Sequence, residues 1–282
     1  MSEPSLDPTS ERPYSFGMRD EALSGSALHD AFLKRIADVT KQDSRLIGLL
    51  VGGSHVTGTT DRYSDIDCVL VAAPESYQYM LDDRRTMAAK VGPLLHAFTG
   101  EHVGEPRLMI CLYETPTLHV DYKVVTLEAL RDRVENPMIV WARDSRIRDV
   151  LARSQAHWPR RPLEWFEERF WIWAHYGAMK IGRGEIFEAL DMFAFLRRQV
   201  FGPLLAERAG HRQYEVRRIE RLVPAAVPLL MELAPPPDRA ACAAALVRAM
   251  DAYLDLTRAP VPANRNPAAE IAVRRYLADA VA

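Results

Sequence analysis

The sequence predicts an α+β fold, a mixed sheet flanked by helices followed by an all-α helical bundle. Short apolar runs of strand length alternate with amphipathic stretches as far as residue 155. A polar, proline-containing stretch at 154–162 (SQAHWPRRP) then leads into sequence that reads helical almost throughout. The 282 residues leave room for two domains of ordinary size, roughly 100–200 residues each. The expected divisions are an N-terminal arm at 1–20, a mixed domain at 21–155 and a helical domain at 156–282.

Residues 1–20 are rich in Pro, Ser and charge and read as a loose arm without the apolar run of a signal peptide. At 27–42, Leu28, Phe32, Ile36 and Val39 recur at helical spacing. Residues 45–51 (RLIGLLV) form a buried strand that ends in Gly52 and Gly53, and 66–72 (IDCVLVA) form the next strand. A helix is expected at 76–96, then strands at 107–113 and 118–125 joined as a hairpin through Thr115, Pro116 and Thr117, and a fifth strand at 137–141. Beyond the linker, long helices at 163–180 and 185–208 are separated by Ile181, Gly182, Arg183 and Gly184, a helix stop and tight turn. Shorter helices follow at 215–222, 225–233, 238–256 and 267–280, with Pro235, Pro236 and Pro237 breaking one and starting the next.

Composition narrows the function classes. Thirty-six Lys and Arg against 38 Asp and Glu give a net charge of −2, so no polybasic field favours nucleic acid, which is not an expected partner. Cys68, Cys111 and Cys242 are dispersed and odd in number, fitting neither a disulfide framework nor a CxxC metal site, and a cytoplasmic setting is expected. The longest apolar runs, 46–51 and 68–73, fall far short of the ~20 residues of a membrane helix. A monomer or homodimer without membrane contact is expected.

The segment with chemistry is GGSHVTGTTDRYSDIDCVLV, residues 52–71. Side chains alternate along a strand, so Asp65 and Asp67 point one way while Ile66 packs into the core. Two carboxylates on one face repel unless a cation lies between them, and hard oxygen ligands of this kind suit Mg²⁺. Gly53 lets a phosphate approach the backbone, Ser54 offers an N–H and a hydroxyl, and a helix starting near Ser54 would add positive dipole. Asp121 sits in an otherwise apolar strand, HVDYKVV, where a carboxylate is costly unless paired or metal-bound. It is the natural third ligand, with Lys123 on the same face as a phosphate or charge partner. Taken singly, these features also read as an ordinary glycine turn, a solvated Asp pair and an Asp121–Lys123 ion pair. Together they point to metal-dependent chemistry on a nucleoside triphosphate.

Gly53–Ser54, ten residues, Asp65-x-Asp67 and a separate Asp121 on a later strand resemble the nucleotidyltransferase superfamily typified by DNA polymerase β, over roughly residues 27–150. The small catalytic domain followed by a helical bundle is similar to antibiotic (aminoglycoside and lincosamide) nucleotidyltransferases and related minimal nucleotidyltransferases. The resemblance implies that Gly53 and Ser54 hold the triphosphate of ATP and that Asp65 and Asp67 coordinate Mg²⁺. Asp121 would complete a second metal site. It further implies transfer of AMP to a hydroxyl of a small molecule such as an aminoglycoside, with release of pyrophosphate and a role in antibiotic resistance. His55 departs from the Arg that many antibiotic-modifying relatives carry after Gly-Ser, and reads as an exposed turn residue or a weak phosphate contact.

The acceptor is expected in a cleft between the domains. Glu185, in the turn between two long helices, is the candidate general base, with Glu188 and Asp191 as lesser candidates, although Glu in a first helical turn is also favoured by the dipole alone. Phe166, Phe170 and Trp173 share a helical face and read as core, which leaves Trp171 to stack on a sugar or base. Tyr214, Arg217, Arg218 and Arg221 form a basic cluster that could reach phosphate oxygens or simply be solvated. The alternative function is an antitoxin-like regulatory protein that binds or modifies a protein partner. Arg169 and His175 match the Arg–His spacing of helical ribonucleases paired with such transferases, but six residues is a poor fit to one helical face, and the match reads as chance.

Overall fold

The computed structural model describes residues 27–114 and 117–282. The expected arm at 1–20 and residues 115 and 116 of the expected hairpin turn lie outside them. The chain divides into two compact units that meet between His157 and Trp158.

In the first unit, helix α1 (Ala27–Gln42) precedes β1 (Leu46–Val51), the one-turn helix α2 (Ser54–Thr57) and β2 (Ile66–Ala72). Two short helices, α3 (Tyr77–Asp82) and α4 (Arg84–Ala89), lead to β3 (Leu94–Gly100), β4 (Glu105–Tyr113) and β5 (Leu118–Thr126). Strand β6 (Met138–Ala142) and helix α5 (Arg146–Ala152) complete the unit. The six strands lie in the order β3-β4-β5-β2-β1-β6. The central pair, β2 and β5, is parallel, whereas every other neighbouring pair is antiparallel.

The single helix expected at 76–96 is corrected to α3, α4 and an additional strand, β3. Gly92 and Pro93 stop the helix, because proline removes an N–H and its ring clashes with the preceding turn. Helix α5 is a further element that the apolar spacing did not reveal.

The two faces of the sheet are covered unequally. Cys68 and Leu70 of β2 and Val120, Tyr122 and Val124 of β5 are buried against α1, α3 and α4 through residues such as Phe32, Ile36, Met80 and Met87. On the other face, Ile47, Leu50, Val71 and Val125 pack on Leu130 and on Ile147 and Leu151 of α5. Val71 and Val125 face each other in register, as do Asp67 and Asp121 four residues earlier on the same strands. One face of the central pair is therefore apolar and covered at one end, and acidic at the other, where Asp67 and Asp121 are only half-buried.

In the second unit, α6 (Leu163–Arg183) and α7 (Ile186–Leu196) are followed by a π-helical turn (Arg197–Phe201) and α8 (Gly202–Arg208). Helices α9 (Ile219–Leu222), α10 (Val227–Glu232), α11 (Arg239–Leu256) and α12 (Pro267–Val281) complete it. Helix α6 runs through Ile181 and Gly182 and ends at Gly184, whose φ of 73° suits the left-handed cap. Its core stacks Phe170 on Tyr253 with ring centroids 3.9 Å apart. Buried Glu167 accepts hydrogen bonds from the Tyr253 hydroxyl (2.8 Å) and Trp171 Nε1 (3.1 Å) and pairs with Arg265 Nε at 3.3 Å. Trp171 is thus a core residue, which corrects its expected availability to a ligand.

Candidate active site

The site grows out of the end of β1. The Gly52 N–H donates to the carbonyl oxygen of Asp67 at 2.9 Å, extending the β1–β2 ladder by one residue and laying the glycine turn along the start of β2. Gly53 then adopts φ 61° and ψ −133°, a combination essentially confined to glycine. A Cβ there would lie 2.3 Å from Asp67 Oδ2. The turn backbone therefore lies directly against the Asp67 carboxylate.

Asp67 and Asp121 occupy facing register positions of neighbouring parallel strands, whose spacing is about 4.8 Å. Both side chains point away from the face that buries Cys68 and Tyr122, so they share one side of the sheet. Asp65 lies one residue before β2 rather than within it. Its charge acts on both His55 and His119, in each case in the direction that raises the histidine's proton affinity.

His119, two residues before Asp121 on the same face, bonds Asp121 Oδ1 through Nε2 at 2.8 Å. The Asp121 hydrogen bond holds the His119 pKa above its ordinary value, and Asp65 and Asp67 push it the same way. All three carboxylates therefore act on His119 with the same sign.

Among the described residues, no three His, Cys, Asp or Glu side chains are gathered closely enough to hold a metal ion as they stand. The donor set nonetheless fits a hard divalent cation. It consists of carboxylate oxygens, two of them side by side, and their negative field favours a positive charge in front of them.

Ser54 opens α2 and is buried, its Oγ accepting from Thr60 Oγ1 at 3.3 Å. His55 is only 4% exposed, which corrects its reading as an exposed turn residue, and neither ring nitrogen has a hydrogen-bond partner among the described residues. Burial, reinforced by His29, lowers its pKa, and the rings of the two histidines lie 6.2 Å apart. Lys123 stands on the Asp121 face, but its Nζ is 2.7 Å from Glu105 Oε2 rather than on Asp121. Arg107 and Lys123 together hold the Glu105 carboxyl down to about 2.

Sequence reasoning missed Glu135. The Gly53 N–H donates to Glu135 Oε1 at 2.7 Å, although the two residues are 82 positions apart. No motif surrounds Glu135, and no periodicity signals a contact of this range.

Glu185 belongs to the helical unit and caps the start of α7. Lys180 Nζ donates to its Oε2 at 2.7 Å and also reaches Glu188 Oε2 at 2.5 Å. Arg169 lies over the Trp165 ring and donates to its carbonyl oxygen, while His175 packs on Tyr276, so these two side chains have separate surroundings.

The mixed sheet sets facing aspartates on its central parallel strands beside a glycine turn. Residues 33–172 match the family model described as a nucleotidyltransferase domain, which supports placing this part of the chain in the nucleotidyltransferase superfamily. The chemistry of that class is the transfer of a nucleoside monophosphate. No curated protein matches the chain. Among the described residues, no helix is long and apolar enough to cross a membrane.

Proposed function

We propose that the chain is a Mg²⁺-dependent adenylyltransferase that moves AMP from ATP to a hydroxyl of a small molecule such as an aminoglycoside and releases pyrophosphate. The observation that supports this most is the register that sets Asp67 against Asp121 while Gly53 closes on the Asp67 carboxylate. In this reading Asp65, Asp67 and Asp121 hold two Mg²⁺ ions, and Gly53 and Ser54 seat the phosphate chain. The bound metal supplies neutralisation of charge on the phosphate oxygens.

The acceptor oxygen forms a bond to the α-phosphorus as the α–β phosphoanhydride bond breaks. Pyrophosphate carries away the electron pair of that bond, and the hydroxyl proton passes to a carboxylate. Glu185 is the candidate acceptor of that proton and would give up its pair with Lys180 to take it. Lys123, paired with Glu105, contributes positive field from the Asp121 face.

The test is pyrophosphate release from ATP across a panel of aminoglycosides, lincosamides and candidate protein acceptors. Asp67→Ala and Asp121→Ala should each lower release by at least about a hundredfold, the scale of losing one group that stabilises the transition state. Release at the parental rate in either variant would exclude these residues from the chemistry.

A further inference from the structure

The Gly53 amide assigned to the triphosphate is already taken by a carboxylate. Its N–H donates to Glu135 Oε1 at 2.7 Å, and a Cβ on Gly52 would lie 2.9 Å from the same oxygen. Glu135 therefore rests against the backbone of both glycines, beside Asp67. Among the described residues it makes no ion pair, and its one hydrogen bond is to this amide. A carboxylate oxygen on a backbone N–H presents the charge and geometry of a phosphate oxygen on that N–H.

The position is built. The loop carrying Glu135 is fixed by Arg133, whose guanidinium donates to Ser154 Oγ (2.6 Å) and to the carbonyl oxygens of Ser154 (2.7 Å) and Leu151 (3.1 Å). Arg133 Nε also holds Asn136 Oδ1 at 2.9 Å, on the other side of Glu135. The His157 N–H closes the loop on the Arg133 carbonyl at 2.8 Å.

Resting on the proposed nucleotide chemistry, we infer that Glu135 is a resident anion that the incoming phosphate chain displaces from the Gly53 amide. Its charge stands with those of Asp65, Asp67 and Asp121 against any bare anion. Only a phosphate chain that brings divalent cations offsets that repulsion, so Glu135 acts as a filter favouring metal-loaded triphosphate over free phosphate, pyrophosphate or metal-free ATP. Glu135 acts through the Gly53 seat and is a positioning residue.

Equilibrium binding of ATP with Mg²⁺, ATP with EDTA, and pyrophosphate with EDTA is measured on the full chain and on Glu135→Gln and Glu135→Ala. Both variants should bind the two metal-free ligands about tenfold more tightly than the parent, the scale of removing one competing charged hydrogen bond, with a smaller gain for Mg²⁺–ATP. Glu135→Gln keeps an acceptor for the amide, so a gain in that variant reports charge rather than altered turn geometry. Parental affinities in both variants would overturn the inference. So would weaker binding in Glu135→Ala with parental binding in Glu135→Gln, which would make Glu135 a prop for the turn. Absence of Mg²⁺–ATP binding in the parent itself would bring down the nucleotide reading as well, whereas parental binding that depends on Asp67 but not on Glu135 would remove the filter alone.

Discussion

Replacing Gly53 with alanine separates backbone strain from damage to the site. Positive φ with extended ψ costs a non-glycine residue about 1–3 kcal/mol, so Gly53→Ala should lose that much stability. The added Cβ would lie 2.3 Å from Asp67 Oδ2, where ordinary contact begins near 3.4 Å, so the carboxylate must retreat by about 1 Å. A displacement of ~1 Å in a reacting constellation lowers turnover by about a hundredfold. Gly104→Ala is the matched control, because Gly104 has φ 73° but nothing within 4 Å of its added Cβ. It should lose about 1–2 kcal/mol and keep its turnover. Denaturant midpoints and pyrophosphate release are measured on both variants. If Gly53→Ala retains turnover within a few-fold of the parent, the turn does not position Asp67, and the reasoning behind the site fails.

Other outcomes follow from the same geometry. Glu185→Gln should slow transfer by about 10²–10⁴-fold while sparing ATP binding, since Glu188 still holds Lys180 and the turn survives; unchanged turnover in the pyrophosphate assay removes Glu185 from the reaction. Glu105, held at about 2 against an ordinary 4.5, contributes stability that is complete above about 4.5 and lost as the pH falls towards 2. Glu105→Gln should therefore cost about 1 kcal/mol near neutrality after solvent screening and flatten the acid limb of a stability–pH curve; an unchanged acid limb would refute the role of its pairing with Arg107 and Lys123. Glu167→Ala strands the buried Tyr253 hydroxyl and the Arg265 guanidinium and should cost about 3–5 kcal/mol in urea denaturation, with a loss below 1 kcal/mol showing that the network is dispensable.

The glycine turn and the acidic strand were legible because their signals are local. Gly52 and Gly53 end an apolar run, and Asp65 and Asp67 flank the first residue of the next. Asp121 stood out as a carboxylate in an apolar strand, and the β2–β5 register sets it beside Asp67. What escaped the sequence depends on distant packing. Strand β3 sits at the sheet edge with mixed exposure, so it carries no clean alternation. His55 is turned inward toward α1 by a single helical turn, which spacing in the sequence cannot show. In the sequence, residues 166, 170 and 173 define a narrow stripe that leaves Trp171 facing away. The buried surface of α6 is wider and also takes in Glu167, Trp171, Ala174 and Ala178.

The juxtaposition of Asp67 and Asp121 has a consequence for when the protein acquires its chemistry. Their strands are the one parallel pair among the described strands of the sheet, and α3, α4, β3 and β4 lie between them in the chain. Bringing such distant segments together is entropically slow compared with closing a hairpin. A nascent chain that has emerged only as far as β4 already carries the glycine turn and its first two acids, yet lacks the opposing carboxylate. If these acids act as proposed, competence to handle a nucleotide arrives with docking of β5, and a chain truncated before β5 should be silent rather than weakly active.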